Sequence, residues 1–203
     1  ERSARYTEDV TLAKAGLELG ADPGVVVEGT IRVAAPRIRL GGGNCWGFVI
    51  TDADACIVFE RSARDCVVTS MRLVISGEKG VALNVVGPDA GNLRVWDSLI
   101  YTPGGKDPTI EHRGFPYNWK RFERAGVGVR ICDAAGNDGA TLHHNRIAGY
   151  QTGVWIGGAD EHSAPALKTR LWKNQITANT TGMRLLASDC LLEYNEIARS
   201  PDV

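Results

Sequence analysis

The sequence predicts a right-handed parallel β-helix, a solenoid of short strands wound in about six coils of about thirty residues. Three observations carry this. A glycine followed by apolar, variable and apolar residues recurs as Gly16-Leu17-Glu18-Leu19, Gly47-Phe48-Val49-Ile50, Gly80-Val81-Ala82-Leu83, Gly126-Val127-Gly128-Val129, Gly153-Val154-Trp155-Ile156 and Gly182-Met183-Arg184-Leu185. Subtracting successive glycine numbers gives 31, 33, 46, 27 and 29. A second element, apolar-x-x-polar-x-apolar, recurs at Val95/Ser98/Ile100, Leu142/Asn145/Ile147, Leu171/Asn174/Ile176 and Leu192/Asn195/Ile197, with Val68/Met71/Leu73 as a looser copy. Its phase is locked to the first, since Ile147 and Ile176 each stand six residues before the next glycine.

Each segment is short and alternates with period two, which suits strands whose alternate side chains enter a core. The expected inward set is Val81/Leu83, Val127/Val129, Val154/Ile156 and Met183/Leu185. Stacked coils bury a continuous column that one coil alone could not. Asn145, Asn174 and Asn195 fall at a bend between strands, where asparagine tolerates left-handed backbone and its amide can bond to neighbouring coils, an asparagine ladder. At the start of the chain, Thr7-Glu8-Asp9 suits the first turn of a capping helix. Val10-Thr11-Leu12 and Leu17-Glu18-Leu19 equally suit strands. No polar cap follows Ile197, so the expectation is a piece of a longer solenoid or an end covered by a partner.

The runs Leu142-His143-His144-Asn145-Arg146-Ile147 and Gly153-Val154-Trp155-Ile156 resemble the β-helix repeat of the pectate-lyase-like superfamily. The resemblance covers residues 65 to 200 well and 16 to 60 less well. It implies a polysaccharide groove on one strand face and its loops, and a polysaccharide lyase, epimerase or phage tailspike-type protein. The Asn-x-Asp, Asp-Asp, His-Gly and Arg-x-Lys set of the polygalacturonase branch is not found. Neither is the Asp-Pro-His signature of the alginate epimerase branch, nor a calcium-binding acidic cluster of the pectate lyase branch. The resemblance thus leaves the reaction open.

At 203 residues, 43% hydrophobic and 23% charged, the chain reads as one folded domain, 1–203, with a loop insertion at 102–125. A net charge of -1 gives no global attraction to nucleic acid or an anionic membrane. No apolar run reaches the roughly 20 residues of a membrane helix. Five cysteines without CxxC or Cys/His ligand spacing argue against a disulfide framework and a zinc site, so they read as reduced, buried and small. No cofactor and no metal site are expected.

Candidate chemistry gathers in two places. The insertion carries Phe115, Tyr117, Trp119 and Phe122 among His112, Arg113, Lys120 and Arg121, a mixture that can stack on sugars and hold anions, or simply fix the loop to the solenoid. Beside it, the outward positions of the glycine-led strands are expected to be Ala82 and Asn84, Gly128 and Arg130, then Trp155, then Arg184. In the superfamily this face forms the groove, so Arg130, Trp155, Arg184, Tyr117 and Trp119 are the expected contacts to an acidic glycan. If Val95, Leu142 and Leu171 point inward, Trp96, His143 and Trp172 stack outward on another strand set.

For catalysis, glycoside hydrolysis needs paired carboxyl groups, for which Asp133 with Asp138 and Asp160 with Glu161 are available. A lyase or epimerase needs a base, for which Arg130, His112, Tyr117 and His162 are available. Two functions from different classes result. One is recognition of an acidic polysaccharide with possible cleavage or modification. The other is a non-catalytic structural or adhesion spike of a phage or phage-like particle, in which Trp96, His143 and Trp172 join a homotrimer. Localisation stays open in the sequence, with an extracellular or virion-associated place favoured.

Overall fold

A computed structural model describes residues 4–22, 24–42, 49–52, 54–86, 90–102, 126–131, 139–157, 168–177, 179–186 and 189–198. All its regular structure is strand, arranged as three parallel sheets of eight, seven and seven strands. The chain passes through sheets A, B and C in turn, seven times, and ends on an eighth strand of sheet A, Glu196–Ala198. This is a parallel β-helix, of seven coils where the repeat predicts about six. At its start Arg5–Thr7 and Val10–Leu12 are strands of coil one, so the acidic Thr7-Glu8-Asp9 run is not a helix. Asp9 instead accepts a hydrogen bond from the Thr30 amide in the coil above (2.8 Å).

The second repeat element reads the register correctly. Val68, Val95, Leu142, Leu171 and Leu192 form one inward column in sheet C. Tyr6, Val27, Ile50, Leu73, Ile100, Ile147, Ile176 and Ile197 form another in sheet A, at intervals of 21, 23, 23, 27, 47, 29 and 21 residues. The early coils are thus shorter than thirty residues, because their connections are short. The long interval contains the insertion, of which 103–125 lie outside the described residues.

The glycine element needs correction. Leu19 belongs to sheet C and Ile50 to sheet A, so the first two copies are not equivalent to the others. In sheet B, Leu83, Val129, Val154 and Met183 are register partners, as are Val85, Ile131, Ile156 and Leu185. The inward pairs of the Gly80 and Gly126 copies are therefore Leu83/Val85 and Val129/Ile131, two residues later than their glycines suggest. Two different glycine roles produce the same four-residue pattern. Gly126 has φ +64°, and a Cβ there would lie 2.1 Å from the Gly80 carbonyl oxygen, so it is a turn glycine. Gly128, Gly153 and Gly182 continue an inward column begun by Cys56 and Ala82, where a side chain would strike isoleucines of the sheet A column. Ala82, expected outside, is fully buried there. Tyr150 is also fully buried, and its Cδ2 lies 3.0 Å from where a Cβ on Gly128 would stand. The ring fills room that the missing side chain leaves.

The asparagine ladder is present. The Ser98 amide donates to Asn145 Oδ1 (3.1 Å), the Asn145 amide to Asn174 Oδ1 (3.1 Å) and the Asn174 amide to Asn195 Oδ1 (3.1 Å). The amide nitrogens donate to Val95, Leu142 and Leu171 carbonyls at 2.8–2.9 Å, so each side chain satisfies backbone groups of its neighbours. The left-handed residue is not the asparagine but the one before it: Ser70, Asp97, His144, Lys173 and Tyr194 have φ between 51° and 54°. A second rung was not foreseen. Asn179 accepts from the Tyr150 amide (2.8 Å) and donates to the Ile147 carbonyl (3.2 Å) at the corner from sheet A to sheet B.

Cys56 and Cys66 are free and buried, and Cys190 is free and half-buried. Burial, partly offset by a hydrogen bond to the Val74 carbonyl, pushes the Cys56 thiol far above its usual range. In the native protein Cys56 should resist a maleimide that labels Cys190, and become reactive only on unfolding, as mass spectrometry of the labelled protein will read.

Candidate functional site

Two outward columns carry the chemistry. On sheet B, Asn84, Arg130, Trp155 and Arg184 are register partners in four successive coils. The Trp155 ring lies between two guanidinium groups, Arg184 at 4.4 Å and Arg130 at 5.8 Å from its centroid. Both distances are within the range of a cation held over an aromatic face. Trp155 therefore organises the two arginines and has no free face on which a sugar could stack. Its Nε1 and the Asn84 Oδ1, one a donor and one an acceptor, are shielded from solvent and have no hydrogen-bond partner among the described residues.

Elsewhere, outward arginines pair with carboxylates one coil away: Arg5 with Glu28, Arg32 with Glu60, Arg39 with Glu18 and Arg170 with Glu193. Arg184 has Trp155 and no carboxylate among the described residues. A guanidinium pre-positioned by an indole face and lacking an anion is suited to bind one.

On sheet C, Trp96, His143 and Trp172 are register partners and do stack outward. The Trp96 and His143 rings are 5.5 Å apart and 4° from parallel, and His143 and Trp172 are 5.2 Å apart and tilted by 34°. His143 Nδ1 and His144 Nδ1 are 3.0 Å apart, so one ring donates and the other accepts. Burial first, then the neighbouring His144, lowers the His143 pKa, with Asp97 opposing. The stack is thus built around a neutral imidazole. Its stabilisation is present above the ordinary histidine pKa and is lost as pH falls through the depressed folded value.

Of the remaining sequence candidates, His112, Tyr117, Trp119, Asp133 and Asp160 lie outside the described residues, as do Asp138, Glu161 and His162. Among the described residues no group of three or more His, Cys, Asp or Glu side chains could hold a metal ion. The sequence places Asn84 on this outward face, where its register with Arg130 now puts it, but the contacts expected there are only Arg130, Trp155 and Arg184. Sequence reasoning missed that Trp155 is covered on both faces, since that requires knowing that the column is continuous. No family model, curated protein or solved structure matches the chain.

Proposed function

We propose that this chain is a glycan-binding β-helix of the pectate-lyase-like kind, and that the outer face of sheet B recognises an acidic polysaccharide. The observation that supports this reading is the Asn84–Arg130–Trp155–Arg184 column. The exposed Arg184 guanidinium, held over the Trp155 face, is a donor for a carboxylate or sulfate, and Arg130 adds positive charge on the other side of the same ring. Successive coils are spaced by one strand separation, about 4.8 Å, nearly the length of one sugar residue. A polymer lying along the solenoid axis would therefore meet the column in step. The reading is of recognition. Of the bases considered for lyase chemistry, Arg130 alone is among the described residues.

Arg184→Ala should weaken binding to polygalacturonate about tenfold or more, the loss of a charged hot spot, while binding to a neutral dextran stays absent in both proteins. Wild-type affinity should also fall as salt screens the arginines. Calorimetric titration reads both. Equal affinity of Arg184→Ala and wild type would sink the proposal.

A further inference from the structure

The sheet C stripe holds a pair of nitrogens outside the column read above as a glycan site. His143 Nδ1 and His144 Nδ1 stand 3.0 Å apart, His143 in the column between Trp96 and Trp172 and His144 at the corner that follows it. The indoles set both rings. His143 lies 5.5 Å from Trp96 and 5.2 Å from Trp172, and His144 meets His143 (5.2 Å, 86°) and Trp172 (5.0 Å, 72°) edge to face. Rings already oriented by their neighbours lose little freedom on taking a ligand. His143 is half-buried and His144 exposed, so the pair opens to solvent at the corner.

Two imidazole nitrogens at this separation can share either a proton or a metal ion. With metal–nitrogen bonds of about 2.0–2.1 Å, nitrogens 3.0 Å apart subtend about 95° at the ion. That is close to the right angle of a tetragonal copper(II) or nickel(II) site and further from the tetrahedral angle of zinc. To take the ion, the donor ring passes its Nδ1 proton through water to its own Nε2, and the exposed His144 ring tilts until both Nδ1 lone pairs converge. Both rings stay neutral. Asp97, at the corner one coil below His144 (φ 51° and 54°), favours positive charge at His143, which Arg170 opposes. Of the cations nearby, Arg170 is paired with Glu193 (2.7 Å), Lys168 shares a corner column with Asp189, and Lys173 lies over the Trp172 ring (5.0 Å). Among the described residues no third side chain completes the set, so water fills the remaining positions. We infer that His143 and His144 form an open two-imidazole site for a divalent transition-metal ion, copper(II) foremost, on a face separate from the sheet B column.

The test titrates the untagged chain with copper(II) chloride and follows tryptophan fluorescence. Quenching should reach a plateau at an equimolar amount, because Trp96 and Trp172 lie against the ligand rings. The electron paramagnetic resonance spectrum of that sample should be axial, with hyperfine splitting from two imidazole nitrogens. His144→Asn removes one ligand, and asparagine tolerates the left-handed φ of 54° at this corner. It should bind copper about tenfold or more weakly than wild type, as losing even an outer-shell partner of a ligand does. The inference is overturned by no binding, by equal affinity in His144→Asn, or by loss of binding in His112→Ala/His162→Ala with His144→Asn unaffected. Should the melting curve show that His144→Asn does not fold, nuclear magnetic resonance of wild type decides. Trace copper should broaden the imidazole signals of His143 and His144 before those of the other two of its four histidines. The opposite order overturns the inference.

Discussion

Asn174→Leu should lower the unfolding free energy by about 2–4 kcal/mol, because two buried backbone groups each lose a partner worth about 1–3 kcal/mol when left unpaired. Asn174 is fully buried, accepts from the Asn145 amide and donates to the Leu142 carbonyl (2.9 Å). Leucine can serve neither, and water cannot reach either. The Asn145 side chain retains its bond to the Val95 carbonyl, although it loses the one its Nδ2 donates to Asn174 Oδ1 (3.0 Å). Asn195→Leu, on the half-exposed final rung, should cost less, since solvent can replace part of what is lost. Urea denaturation of the three proteins measures the difference. A shared midpoint would mean that the ladder follows the fold and does not stabilise it.

The second large effect is Gly153→Ala. The added methyl would meet Asn179 Nδ2, the Gly182 carbonyl oxygen and Ile176 Cγ2, each at 2.7 Å, and two of these belong to elements pinned by ladder bonds or backbone pairing. Overpacking of this kind costs about 3 kcal/mol. The same change at Gly182 meets one atom closely, the Ile197 branch methyl Cγ2 at 2.5 Å, on a half-exposed side chain with room to rotate about χ1. Gly182→Ala should therefore cost about 1 kcal/mol or less. Thermal melts of the two variants should differ in that order. The reverse order would show that the glycines serve backbone conformation and not space.

What the sequence makes legible is governed by how often a constraint repeats. The isoleucine and leucine columns recur in nearly every coil, so their phase is readable, and so are the asparagines between them. Glycine is ambiguous because one letter serves two needs: Gly126 turns the chain and Gly153 makes room, and the two positions differ by two residues in register. Asn179 was invisible because it has no periodic companion, although it bridges two coils as Asn174 does. For the sheet B site, Arg130, Trp155 and Arg184 were found, since outward positions follow once inward ones are known. Their mutual cover was not, because it depends on side chains from adjacent coils meeting. The Trp96–His143–Trp172 stack was legible for the opposite reason, since large rings at identical phase have nowhere to go but against one another.

The singular side chains in the core have a consequence for folding fidelity. Ile100, Ile147 and Ile176 are chemically the same knob at the same phase, as are Leu142 and Leu171, so a coil displaced by one full turn along the axis would find nearly equivalent neighbours. A chain of interchangeable coils has translational degeneracy, and offset pairings compete with the native one. Tyr150 and Phe59 break it. Each is a fully buried ring: Phe59 stands in register between Val33 and Val85, Tyr150 is followed in the coil above by Asn179, and the Tyr150 ring fits because Gly128 lacks a Cβ. Like the wards of a key, these rings admit one alignment of the stack, which gives a use to a Tyr150 hydroxyl buried without a hydrogen bond among the described residues.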